Sequence, residues 1–198
     1  MKNDKKDPAL KMPTPAELGG ERALSQFRKL FNESLNDIYW AEVQLLKSLP
    51  VLRDHATTPE LKMAIQEHLK QTETHVTRLD KVFSLCGKTP RGKECKAMIG
   101  LIEECKMAIS DTSSASMTRD AAIIMAAQKV EHYEIATYGS LLEFARTLGL
   151  KEISGLLHAT LDEEKQADQG LTLIAQTGIN WGAEHEPAEG GAHQSHYS

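Results

Sequence analysis

Residues 128–138 read QKVEHYEIATY, inside a helical pattern whose apolar stripe runs through Ala121, Ile124, Ile135, Leu142 and Ala145. Continued at three-and-four spacing, the stripe must pass through Gln128 and Glu131, so the face that should be buried carries an acid near its middle. Acids are almost never buried unless paired, protonated or bound to a metal. The rest of the chain decides which.

The same interruption occurs on every long helix that the sequence predicts. From about Ser25 to Leu49 one face carries Phe31, Ile38, Glu42, Leu45 and Leu49. A second helix is announced by Thr58 as a cap, Pro59 at the first position, and Thr57 with Glu60 as a capping box; these satisfy or remove the orphan N–H groups of a first turn. It runs to about Cys86, before Gly87, and its seam reads Leu61, Ile65, His68, Thr72, His75, Leu79, Val82. After the helix that holds the opening stretch, about Thr118–Leu148, a last one spans about Lys151–Gln176 with Leu157, Leu161, Glu164, Asp168, Leu171 and Ala175 aligned.

A shorter helix at about Lys93–Ile109 lies between the second and the opening one, flanked by the loop Lys88–Gly92 and the polar connector Ser110–Met117. No strand alternation is present, so the chain is predicted to be all-α. Two short connections make two helix hairpins, and the long middle connection of about 30 residues lets the second hairpin cross over. That is the arrangement of a ferritin-like four-helix bundle with an additional short helix in the crossover. Residues 1–20 read as a flexible arm, 21–178 as the bundle, and 179–198 as a disordered tail rich in His, Gly and Glu, including His185, His193 and His196.

Composition narrows the class. The chain has 198 residues, 40% apolar, 26% charged and only 5% aromatic, with a formal net charge of −5. This suits one domain with a core, and helix over strand. The scattered Lys and Arg with no basic stripe argue against nucleic acid. No long apolar run points to a membrane, and no secretion signal is visible. The three cysteines, Cys86, Cys95 and Cys105, have no metal-knuckle spacing and read as reduced thiols in a cytoplasm.

Folding the first hairpin near residue 55 sets position 42 opposite 68. Folding the second near 149–150 sets 131 opposite 168, and 134 opposite 164. At about 1.5 Å per residue these levels agree to within about one turn. Glu42, His68, Glu131, Glu134, Glu164 and Asp168 are therefore the expected slab of ligands. Gln71, His75, Gln128 and Tyr138 are expected beside it, while His132, about 100° from Glu131 around the helix, falls outside. Oxygen and imidazole donors suit iron or manganese, and a carboxylate can bridge two ions about 3.5–4 Å apart. A protonated or ion-paired polar core is the competing reading.

Five blocks, FNESLNDIYWAEVQLLKSLP, HLKQTETHVTRLDKVF, CKAMIGLIEE, AAQKVEHYEIATYGSL and TLDEEKQADQGLTLIA, resemble the YciE/YciF family of ferritin-like bacterial stress proteins over roughly residues 25–176. The resemblance implies a four-helix core, a homodimer and two metal ions held by carboxylates and histidine. The wider ferritin pattern has one Glu on each of two helices and Glu-x-x-His on each of the others. Glu42 and Glu131 match the single acids. The paired motifs depart: the second helix offers His68-x-x-Gln71 and Thr72-x-x-His75, and the last offers Glu164-x-x-x-Asp168 without a seam histidine, His158 lying too near its start. His68 is the preferred ligand of the second helix because it shares the level assigned to Glu42.

The leading expectation is a cytoplasmic stress protein with two metal ions, iron foremost and manganese the alternative, that oxidises ferrous iron or reduces oxygen or peroxide. Tyr138 would serve as a redox or hydrogen-bonding neighbour, or as an ordinary core tyrosine. No catalytic residue is assigned. The alternative is a non-enzymatic dimer in which metal or polar core is structural. An iron-storing shell finds no identifiable contacts, and a partner-binding module would use Trp40 or Trp181.

Overall fold

The structure, a computed structural model, describes residues 25–187. The arm expected at 1–20 lies outside them. Helices α1 (Gln26–His55), α2 (Pro59–Leu85), α3 (Lys96–Ser110), α4 (Met117–Thr147), α5 (Lys151–Ile174) and the short α6 (Asn180–Glu184) account for most of the described residues, and no strand occurs among these. The all-α prediction therefore holds.

Local chemistry sets the helix ends. Ser25 and Ser116 accept the N–H of Arg28 and Arg119 three residues on, closing the first turns of α1 and α4. Pro50 stays inside α1, which continues to His55. Gly87 and Gly149 take positive φ, +66° and +73°, where only glycine avoids a Cβ clash; each ends a helix by back-bonding to it, at Ser84 and Arg146. Thr58 departs from expectation, because it makes no cap to its own helix. Buried Asp120 of α4 instead accepts from the N–H groups of Thr57 (2.6 Å) and Thr58 (2.8 Å) and from the Thr58 hydroxyl (2.7 Å). A carboxylate meeting these donors fastens the start of α2 to the start of α4.

That fastening fixes the topology. Helices α2 and α4 begin at the same end and run parallel, as the crossover requires. Each of α1 and α5 packs on both α2 and α4, giving a four-membered ring. The end of α2 meets the start of α5 through Arg78–Thr160 and Lys81–Glu152, and Phe27 stacks edge-on against Phe144 where α1 begins and α4 ends. Helix α3 lies along α4 and α1, carrying the chain back along about 22 Å of bundle. Leu35, Ile38, Leu61, Leu79, Ile123, Leu141 and Leu157 fill the core, each at most 1% exposed.

The expected stop near Gly178 is not where order ends. Helix α5 passes through a π-helical turn, Ala175–Ile179, into α6. Beyond it Glu186 accepts from the N–H of Thr118 (2.9 Å), from its hydroxyl (2.8 Å) and from the N–H of Met117. The start of α4 holds the segment because a helix N-terminus offers unpaired N–H groups to an anion. Residues 179–186, expected in the tail, are thus placed against the bundle; His193 and His196 lie outside the described residues.

Candidate metal centre

Burial is most costly at mid-bundle. Glu42, His75, Glu134 and Glu164 are fully buried, and Glu131 and His68 nearly so. Each reaches this depth because the hydrophobic spacing that buries its neighbours one turn away carries it inward. Two sets of donor atoms result. His68, Glu131, Glu134 and Glu164 form one, and Glu42, His75 and Glu164 the other, with every ligand atom within 4.8 Å of the rest of its set.

Glu164 joins the two sets. Its Oε1 lies 2.9 Å from His75 Nδ1, and its Oε2 lies 4.0 Å from His68 Nε2. His68 Nε2 also faces Glu131 at 3.3 Å, and His75 Nδ1 faces Glu42 at 3.4 Å. These are approaches of charge and lone pair, not aligned hydrogen bonds. Nine of the ten buried side-chain nitrogen and oxygen atoms without a hydrogen-bond partner, among the described residues, belong to these six side chains. At about 1–3 kcal/mol each, that many orphans would cost as much as the whole net stability of a domain, about 5–15 kcal/mol. A cation or protons must answer them.

Proton positions follow from the environment. Burial, and then the charge of Glu164, drives Glu131 well above the usual carboxylate range. Burial and the surrounding acids do the same to Glu134, and burial raises Glu42. Burial pulls Glu164 up, but the His75 contact and the His68 charge outweigh it and hold Glu164 below its ordinary value. For His75 burial opposes the charge, yet Glu164 and Glu42 raise it to about 10. Without a metal the slab is a buried imidazolium among partly protonated acids.

A second layer braces one end. His75 Nε2 donates to Glu163 Oε2 at 2.9 Å, and Glu163 is gripped by Arg78 through two bonds of 2.6 and 2.8 Å. Arg78 also donates to Thr160 at 2.9 Å. The Tyr138 hydroxyl, fully buried, donates to Glu42 Oε1. This chain of contacts turns Nδ1 of His75 inward, as the outer carboxylate does for a metal-ligating histidine.

Of the residues expected as ligands, Glu42, His68, Glu131, Glu134 and Glu164 are brought together. Asp168 is not: Gln128 donates to its Oδ1 at 3.0 Å and to Thr172 at 2.8 Å, and exposed His132 lies 3.4 Å from the same oxygen. Asp168 sits on the α4–α5 flank, where neighbours on α4 draw it away from the seam. His75, expected outside the slab, stands in it with its Nδ1 among the donors. Tyr138 is beside the site as expected, Gln71 lines a cavity near His68, and Gln128 serves Asp168. His158 pairs at 3.6 Å with Asp162 on the exposed face. Glu163, Arg78 and Thr160 escape the sequence reading; the signals are the adjacent acids Glu163–Glu164 and an arginine one turn beyond His75.

Cys86, Cys95 and Cys105 are free. Cys95 Sγ lies 3.0 Å from the Tyr133 hydroxyl, away from the slab. No helix among the described residues is long and apolar enough to cross a membrane.

A family described as Domain of unknown function (DUF892) matches residues 26–184. The protein YciF of Escherichia coli K12 is 41% identical over 158 residues, 79% of this chain and 95% of that protein. The crystal structure of the E. coli stress protein YciF superposes with a TM-score of 0.75 at 39% identity, covering 79% of this chain and 99% of that one. YcfI of Rhodopseudomonas palustris gives 0.73 at 38%, covering 78% and 98%. At 16% identity, a Bacillus anthracis structure of ferritin-like, diiron-carboxylate proteins gives 0.59 over 76% of this chain and 99% of that one, which bears on fold alone. The ferritin-like fold and the YciF resemblance read from the five sequence blocks are thereby confirmed.

Proposed function

The chain belongs to the DUF892 family, and we propose that it is a di-metal carboxylate protein of the bacterial stress response that oxidises ferrous iron with oxygen or peroxide. Iron is the expected metal and manganese the alternative. The observation that carries this reading is the concentration of nearly all unpartnered buried polar atoms in one slab.

The donor set fits two ions. Four carboxylates and two neutral imidazoles balance two divalent cations, leaving a neutral core, which a low-dielectric interior favours. Mixed oxygen and imidazole donors suit iron or manganese. Glu42 with His75, and His68 with Glu131 and Glu134, would hold one ion each, and Glu164 would serve both. Bound iron would supply the electrons that reduce oxygen or peroxide.

The chain's own residues prepare that chemistry. Tyr138 fixes Glu42, and Glu163 with Arg78 fixes His75. Burial excludes water. Glu131, Glu134 and His75 carry protons that must leave when metal enters. The stress role is supported by the name of the YciF relative.

A second reading is a structural polar core with no catalysis. The imidazolium of His75 favours it, because that cation beside Glu42 and Glu164 partly neutralises the slab without metal. Two measurements decide. Metal analysis of the purified protein beside E131A and E164A sinks the site if content is unchanged in both. Oxygen and peroxide consumption after ferrous loading then separates oxidase from scaffold; a loaded protein no faster than buffer is a scaffold. A homodimer belongs to the same proposal, and mass in solution tests it.

A further inference from the structure

Beside the slab, between α2 and α5, lies a cavity of about 190 Å³ that the metal reading does not use. Its walls are Leu49, Leu52 and Leu171, and it exists because Ala127, Ala167 and Gly170 stand where larger side chains would fill it. A Cβ placed on Gly170 would meet nothing within 4 Å. At the inner end are His68 and Glu131, 6% and 2% exposed. Neither ring nitrogen of His68, nor Oε2 of Glu131, has a hydrogen-bond partner. Exposed Glu67 and Gln166 mark the outer rim.

We propose that this cavity binds a neutral, largely apolar organic molecule whose single hydrogen-bonding end faces His68. Most of the wall is aliphatic, so the body of a charged molecule would be desolvated there without compensation. Exposed Glu67 at the rim repels an anion. Size follows from volume: a dry cavity of about 150 Å³ takes benzene, so a molecule of about seven non-hydrogen atoms fits here. The polar end belongs at the inner end because His68 Nδ1, which an ion on Nε2 would leave free, has no partner there.

The probe is n-hexanol, titrated into purified full-length protein and followed by amide chemical shifts, with metal content measured on the same samples. Saturable shifts centred on Ala127 and Ala167 are expected in the wild type. G170L should weaken binding at least about tenfold by filling the cavity. Because leucine is the better helix former, the variant should fold and keep its metal; A167L is the second filling variant should G170L disturb α5. Metal-loaded wild type with no saturable shift overturns the inference and leaves the metal reading standing. Hexanol binding undiminished in both filling variants also overturns it. Wild type that binds hexanol but holds no metal overturns the metal reading and supports the ligand cavity.

Discussion

The two ends of the slab share Glu164 but are built differently. At the His75 end both side chains other than Glu164 have a support: Tyr138 holds Glu42, and Glu163 under Arg78 holds His75. At the His68 end both ring nitrogens, both oxygens of Glu134 and one of Glu131 have no partner, and the apolar cavity opens beside them. In the proposed metal site one end would be set before metal arrives, and the other would be completed by the ion. In a site that must both hold metal and admit a reactant, the braced end suits retention and the unbraced end suits reaction.

The sharpest way to break that division is to remove what both ends share. Glu164→Ala should take metal content from about two ions per chain to about none, because each donor set loses a member and Glu131 loses its neighbour. His68→Ala and His75→Ala should each leave about one ion. If E164A kept one tightly bound ion, the ends would be independent sites and Glu164 no bridge. Elemental analysis reads all three.

Bracing itself is tested by leaving the ligands and cutting their supports. Arg78→Met frees Glu163 and loosens His75, and should weaken metal at that end about 10–100-fold while the His68 end is untouched. Competition with a chelator should therefore change from one class of site to two. Equal weakening at both ends would mean that Arg78 supports the bundle and not the site.

The pH dependence separates loaded from empty protein. In the empty fold Glu131 and Glu134 keep protons that the unfolded chain releases around 4.5. The folded state then binds more protons, so stability falls as pH rises above that value. His75, raised to about 10, adds stability that is full below its ordinary 6.5 and lost as pH climbs through about 10. Lowered Glu163 acts in the opposite sense, but only on the acid side of 4.5. Metal expels the protons concerned, so the rise in Tm on metal addition should be larger at about pH 9 than at about pH 6. A rise independent of pH would mean that the acids are already ionised.

Five of the six residues expected as ligands stand in the slab because seam periodicity alone carries Glu42, His68, Glu131, Glu134 and Glu164 inward. His75 joins them, and not only the surroundings, because of where the turn lies. The first hairpin bends at about Thr57, between His55 and Pro59, and not at 55. Two residues at the apex become four at the facing position, so Glu42 stands opposite Thr72, between the two histidines, and its oxygen meets His75. Seven residues separate His68 from His75, about 10 Å along the axis, which reads as two levels when a site is imagined as one layer; Glu164 spans them with its two oxygens. The ordered stretch through Glu186 was illegible for another reason. Its partner at the start of α4 is 68 residues away, and no local pattern announces such a contact.

Asp168 marks where periodicity overreaches, and its effect should be the smallest. It follows Glu164 by four residues, which turns it about 40° around the helix, toward Gln128 and His132 on the flank. Asp168→Asn keeps an oxygen for the Gln128 amide and removes only a partly exposed charge. Metal content, chelator competition at both ends and the pH trend of Tm should all stay at wild-type values, with a stability change within about 0.5 kcal/mol. Loss of one ion in D168N would move Asp168 into the His68 end. That end would then be as well supplied as the other, and the contrast between a braced and an open half would fail.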